Sequence, residues 1–229
     1  MLNRHNKRSW NTMHKTITTA ALLTALSFSP AIAAQEFMFT YSKLFYQLKS
    51  NTSEGHDDVR LALFFNDAKT GKACTITKAW MEKEEHYEEF VIPGSQELPL
   101  PLDNNLKSAN PLVYIQVEDN KQCNISLEVL ASNPIESPVA LSSLIELKPQ
   151  MQTMLSEIGG MFSSWFMPEV QGVIMTFNTI EQGQVKVSNG KFVDIIDHKA
   201  FIKFESYNVT DTLILPTQPD KVSPWLPSS

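Results

Sequence analysis

The chain has 229 residues, with 19 lysine and arginine residues against 25 aspartate and glutamate residues, and its net charge is −6. An acidic chain is repelled by nucleic acid and by anionic lipid. The sequence also has no basic patch with interleaved aromatic residues. These properties exclude nucleic-acid binding from the expected functions.

The first 34 residues have the three parts of an export signal. A basic stretch without acidic residues comes first, carrying Arg4, Lys7, Arg8 and Lys15. An apolar run over residues 20–28 follows, and then small residues flank a cleavage point after Ala33. The run is too short to span a bilayer, which needs about 20 apolar residues. We therefore expect residues 1–34 to be a signal peptide, with an uncleaved anchor as the alternative.

Removal of this leader makes the protein more acidic. The leader carries 4 of the 19 basic residues and none of the 25 acidic ones, so the mature chain has a net charge of 15 − 25 = −10. No later stretch is long and apolar enough to form a transmembrane helix. The mature protein is expected to be periplasmic or secreted, without a transmembrane segment.

Residues 35–133 have the pattern of an antiparallel β-sandwich-like domain. Short strand-like runs alternate with turn residues, which is typical of such folds. The predicted strands cover residues 37–48, 59–65, 74–81, 90–92, 112–117 and 123–130. The chain has two cysteines, Cys74 and Cys123, and an even number of cysteines in an exported protein indicates a disulfide. The alternative is that both are free, buried thiols.

Residues 134–229 are predicted to form an α+β C-terminal part with a proline-rich tail. A proline-rich break over residues 133–138 separates them from the first part. A helix is expected from Pro149, in its first turn, to the glycine pair at 159–160. A small antiparallel sheet should follow, because the Asn189-Gly190 pair is a strong hairpin signal. The whole chain is therefore predicted to be mainly β with some α.

Four stretches resemble a family of exported proteins from marine Gram-negative bacteria that is catalogued only as a domain of unknown function. They are residues 41–44, 78–87, 98–106 and 167–173, and the resemblance covers most of the mature chain. The resemblance implies a periplasmic setting and one unit rather than separable modules. It implies no activity, and no functional residue is transferred from it.

An acidic run is the first candidate site. Glu82, Glu84, His86 and Glu88 share one face if the run is extended, whereas Glu82, His86 and Glu89 align if it is helical. Carboxylates with an imidazole can bind a divalent cation such as Ca²⁺, Mg²⁺ or Mn²⁺. The alternative is a solvated polar edge that discourages strand aggregation. No other cofactor is expected.

The apolar helix face is the second candidate site. Methionine and aromatic side chains can form an adaptable groove for a small ligand or a partner peptide. The residues concerned are Met154, Ile158, Phe162, Trp165 and Phe166. The alternative is that these side chains form the ordinary core of the second part.

Catalytic signals are weak in this sequence. No serine lies in a G-x-S-x-G elbow. His198 follows Asp194 and Asp197, which could orient it as a base, and a turn histidine between two strands is the alternative. The preferred interpretation is a non-catalytic binding or interaction module of the cell envelope, with an unknown envelope protein or small ligand as partner. A metal-assisted hydrolase using residues 82–89 is the alternative, and a structural envelope assembly protein is a third reading.

The export signal makes a direct prediction about the processed protein. We expect the mature chain to begin at Ala34, because the small residues before that position match signal-peptidase preference. Intact-mass measurement of the protein from the cell envelope fraction checks this. A full-length chain in the cytosol with both thiols reduced would contradict it.

Overall fold

A computed structural model of the protein describes residues 35–119, 121–159 and 168–227. The predicted signal peptide lies outside the described residues. The fold is mainly β with few helices, its sheets are antiparallel, and one of them curls into a half-barrel. This confirms that the chain is mainly β with some α, and the β-sandwich-like arrangement of the first part stays a prediction. None of the described helices is both long and apolar enough to cross a membrane.

The first part of the chain contains six strands and two short helices. In chain order they are β1 (Gln35–Thr40), α1 (Tyr41–Gln47), β2 (Val59–Asp67), β3 (Ile76–Lys83), β4 (His86–Glu89), α2 (Asn104–Ala109), β5 (Leu112–Val117) and β6 (Cys123–Ala131). Four of these strands form a sheet in the order β1-β5-β3-β4, and β2 pairs with β6 in a separate ribbon.

Two of the predicted strands differ from the structure. The strand expected over residues 37–48 ends at Thr40, and helix α1 follows at once. The buried side chains of Tyr41, Leu44 and Phe45 have the helical spacing of three and four residues, which competed with the strand pattern. The strand expected over residues 90–92 lies earlier, at β4, because it pairs with β3 through a tight turn.

The second part forms one larger sheet and a long helix. Its elements are β7 (Val139–Ala140), α3 (Leu141–Gly159), β8 (Gly172–Thr176), β9 (Gln182–Val187), β10 (Phe192–Ile196), β11 (Lys199–Lys203), β12 (Thr212–Ile214) and β13 (Lys221–Trp225). The sheet has seven strands in the order β13-β8-β11-β10-β9-β12-β7, so it is larger than the small sheet that the sequence predicted.

Two further elements that contain proline, helix α3 and the C-terminal tail, differ from their predicted structure. Helix α3 begins at Leu141, two turns before its predicted start, and contains Pro149 in its interior. The buried residues Leu144 and Leu147 extend its apolar face toward the N-terminus. The predicted irregular tail contains strand β13, in which Pro224 pairs with β8 at the sheet edge. An edge strand tolerates proline because one side of its backbone has no strand partner.

One large hydrophobic core links the two parts. Leu63 and Ile115 from the first part belong to the same buried cluster as Met151 and Val173 from the second. Helix α3 contacts β2 and β6 as well as β7 and β8. Both parts therefore share buried surface, and their division into two domains stays a prediction.

The predicted disulfide joins Cys74 to Cys123 and is buried in this core. We expect the double variant Cys74→Ser with Cys123→Ser to lose about 4 kcal/mol of unfolding free energy, because a loop of about 50 residues is no longer closed in the unfolded chain. Urea unfolding of the oxidised protein and of the variant measures the difference. An unchanged midpoint would show that the bridge contributes nothing.

Candidate functional site

The acidic run forms a hairpin instead of a single strand or helix. Strands β3 and β4 reverse at the two residues Glu84 and Glu85, where Glu84 has a φ of 54°. The register pairs Lys83 with His86 and Glu82 with Tyr87. Since side chains alternate along each strand, Glu82 lies on one face of the hairpin.

This geometry corrects the predicted shared face. His86 and Glu88 lie on the face opposite to Glu82, because Glu88 pairs with Met81. Among residues 35–119, 121–159 and 168–227, no three His, Cys, Asp or Glu side chains are grouped so that they could hold a metal ion. The cation site and the metal-assisted hydrolase remain predictions without a supporting arrangement.

A groove runs between the tip of this hairpin and helix α2. Its volume is about 670 Å³. Met81, Leu106 and Pro111 provide an apolar lining, and the carboxylates of the hairpin surround them. The carboxylates concerned are those of Glu84, Glu85 and Glu88. Glu82 also lines the groove, but its carboxylate accepts a hydrogen bond from Trp80 Nε1 on the other face of the hairpin. We name this feature the hairpin groove; it combines apolar contact surface with negative charge.

Helix α2, the opposite wall of the hairpin groove, is fixed at both ends. The Asp103 carboxylate accepts hydrogen bonds from the backbone N–H groups of Asn105 and Leu106, which caps the helix. The buried Tyr41 hydroxyl accepts from the Asp103 N–H at 2.9 Å. The Lys83 ammonium donates to the Ala109 carbonyl at 2.6 Å, so the hairpin is tied to the C-terminal end of α2. The groove is therefore preformed.

The other face of the hairpin carries a row of aromatic side chains across three strands. Trp80 on β3 stacks on Tyr114 of β5, with ring centroids 5.1 Å apart and an interplanar angle of 7°. Tyr87 on β4 lies 6.5 Å from Trp80 on the other side and is 54% exposed. We name these three residues the aromatic row. Strand pairing brings the three rings together, and no local sequence pattern indicated this row.

Charged groups surround the aromatic row. The Lys78 ammonium lies 5.1 Å from the Trp80 ring centroid, and the Trp80 Nε1 donates to Glu82 at 3.1 Å. The Tyr87 hydroxyl, followed by the Glu89 carboxylate, raises the pKa of Lys78 above its ordinary value. Partial burial, followed by the Glu82 carboxylate, raises the pKa of Tyr114. Lys78 therefore stays protonated, and Tyr114 neutral, at neutral pH.

The second predicted site is only partly within the described residues. Met154 is fully buried in the core, and Ile158 is 37% exposed on the same helix. Phe162, Trp165 and Phe166 lie outside the described residues. The apolar groove on α3 therefore stays a prediction, with Met154 as a core residue.

His198 lies far along the sequence from the hairpin, in the turn between β10 and β11. Its Nδ1 is 3.1 Å from the Phe177 carbonyl oxygen. Asp197 pairs with Lys72 at 3.1 Å, and Asp194 accepts a hydrogen bond from the Gln184 amide. A backbone carbonyl therefore orients the imidazole, in place of the carboxylates that the sequence suggested.

The fold and the hairpin together define a mainly β protein with an acidic, exposed edge strand. Over residues 33–177 the sequence matches the family described as "Protein of unknown function (DUF2987)", and the chain belongs to this family. Comparison with curated proteins gives no match, and comparison with solved structures gives none. The predicted membership in a family of unknown function is confirmed, and its matched region continues past residue 134 into β8.

Trp80 is the centre of the aromatic row, and its replacement tests the row's contribution to stability. We expect Trp80→Ala to lower the unfolding free energy by about 1–3 kcal/mol, because cross-strand stacking with Tyr114 and Tyr87 is lost. Trp80→Phe should lose less, since it keeps a ring. Chemical denaturation measures both variants. Equal losses for the two would contradict a stacking contribution.

Proposed function

We propose that this protein is an exported, non-catalytic interaction protein of the cell envelope that binds a basic, extended segment of a partner protein at the β3–β4 hairpin. Its leader and its cysteine pair support a periplasmic or secreted location. The marine Gram-negative setting that the resemblance implies agrees with this location.

The hairpin groove is the observation that carries the proposal. Its apolar lining can take apolar side chains of a partner, and its carboxylates attract a positively charged one. Residues 78–89 contain five glutamates against Lys78 and Lys83, a net charge of −3 with the histidine neutral. Charge complementarity therefore selects a partner segment rich in lysine or arginine.

Strand β4 gives this partner a backbone to pair with. It is the outermost strand of its sheet, and all four of its residues are exposed. A strand at a sheet edge has unpaired N–H and C=O groups that an added strand can satisfy. A second copy of this chain would bring the same glutamates to the edge, so like-charge repulsion disfavours self-pairing. A basic extended segment meets both requirements.

Peptide binding tests the proposal. The probe is a fluorescent peptide of about eight residues in which lysine and valine alternate, so that one face is basic and the other apolar. We expect saturable binding by fluorescence anisotropy that weakens strongly between about 50 mM and about 500 mM salt, because the attraction is screened. The triple variant Glu84→Gln, Glu85→Gln, Glu88→Gln should lower the affinity by about tenfold or more, since each exposed charge contributes up to about 1 kcal/mol.

A matched triple variant controls for net charge. Glu54→Gln, Glu181→Gln and Glu205→Gln remove the same charge from exposed positions outside the hairpin. This variant should keep most of the affinity. If it loses as much as the hairpin variant, binding follows the overall charge and the hairpin is not the site. Binding of an uncharged peptide of alternating serine and valine with equal affinity would also overturn the proposal.

A further inference from the structure

A second concave site lies between the two parts of the chain, away from the hairpin. One side consists of the β6 strand and the loops around Lys72 and Gln96. The other side consists of β8, the β10–β11 turn and β13. The volume is about 580 Å³, within the range of about 300–1,000 Å³ for small-molecule sites. We name this feature the inter-sheet cleft.

Strand register places polar side chains in a row along one side of the cleft. Thr176 on β8 pairs with Lys199 on β11 and with Lys221 on β13, so the three residues lie side by side. Ser223 pairs with Ile174 in the next row. Because paired residues of adjacent strands point to the same face, the Thr176 hydroxyl lies between the two lysine positions, and the Ser223 hydroxyl follows Lys221 on the same face of β13. The sheet thus presents hydrogen-bond donors at fixed spacing.

Two of the three lysines of the cleft are already paired. The Lys221 ammonium lies 2.9 Å from the Glu128 carboxylate, and the Lys72 ammonium lies 3.1 Å from Asp197. The bond to Lys72, with its charge, lowers the pKa of Asp197, so this carboxylate is ionised at neutral pH. Within the described part of the chain, Lys199 has no ion-pair partner. The cleft therefore has one unpaired positive charge, on Lys199, although the predicted mature chain has a net charge of −10.

The turn at one end of the cleft adds a hydrogen-bond acceptor. Asp197 and His198 form the two-residue turn between β10 and β11, and both have a positive φ, 48° and 67°. Glycine is the usual second residue of such a turn. The contact between Nδ1 and the Phe177 carbonyl places the hydrogen on Nδ1, so Nε2 of the neutral ring is an acceptor. His198, which the surrounding structure holds at this positive φ, therefore lies beside Lys199 in the lining of the cleft.

We propose that the inter-sheet cleft binds a small hydroxylated carboxylate, of the sugar-acid class. The Lys199 ammonium would pair with the carboxylate, and the Thr176 and Ser223 hydroxyls would donate to its oxygens. A ligand hydroxyl would donate to His198 Nε2. Val129 and Ile174, which also line the cleft, provide apolar contact for the ring. The site shares no residue with the hairpin groove and does not depend on the proposed partner binding.

Three probes separate the features of this ligand. Glucuronate has a carboxylate and hydroxyl groups, glucose has hydroxyl groups without the charge, and acetate has the charge without the ring. Isothermal titration calorimetry on the purified, disulfide-bonded protein should detect glucuronate, with affinities for glucose and acetate lower by about tenfold or more, since a hydrogen bond to a charged group contributes about 1.5–3 kcal/mol. Equal affinity for all three, or no heat with glucuronate, would overturn the proposal.

Variants assign the binding to the cleft. Lys199→Gln should lower the glucuronate affinity by about tenfold or more, and Ser223→Ala should lower it less. The control Lys186→Gln removes the same charge from an exposed position on β9, outside the cleft. Retained melting temperature shows that each variant is folded, and Ser223→Ala provides a second reading if Lys199→Gln unfolds. Equal losses for Lys199→Gln and Lys186→Gln would show that the cleft does not hold the carboxylate.

Discussion

Burial of the β2–β6 ribbon on both faces is the constraint around which the rest of the molecule is arranged. One face of β2, with Leu61, Leu63 and Phe65, belongs to the main core. The other face, with Ala62 and Phe64, forms a small separate cluster with β6. Two strands alone cannot bury both of their faces, so each face needs a cover from elsewhere in the chain.

The two covers come from opposite ends of the sequence. On the main-core side, the Phe37 ring of β1 packs at 4.7 Å from Phe65. On the other side, β13 contacts β6, and the Lys221 ammonium lies 4.2 Å above the Phe64 ring while it pairs with Glu128. This charged contact is mostly buried, and it joins the last strand to the ribbon. The inter-sheet cleft lies where this cover is incomplete.

The β3–β4 hairpin is packed far less than the β2–β6 ribbon. Its strand β4 is exposed throughout and ends the four-stranded sheet, so its side chains are free of core requirements. The glutamates there contribute little to stability, because exposed charges in water interact weakly. Their arrangement around an apolar groove fits the partner binding that we propose for this hairpin. The neighbouring aromatic row gives the hairpin the rigidity that a preformed docking surface needs.

Local patterns in the sequence determined the fold class, the position of most strands and the cysteine pair. Strand β5 begins and ends where its alternation predicted, and the turn at Asn189-Gly190 joins β9 to β10, because both features depend on neighbours in the chain. Helix α1 and the start of α3 also had readable helical spacing, but a competing strand pattern and Pro149 concealed them.

Only the tertiary structure decided how the chemically active side chains meet. A two-residue turn placed Glu82 and Glu88 on opposite faces, whereas the sequence alone allowed them to share one. Lys199 and Lys221 became neighbours of Thr176 through strand order, which no local pattern encodes. The physical reason is that periodicity fixes which face of a strand a residue occupies, while long-range pairing fixes what that face meets.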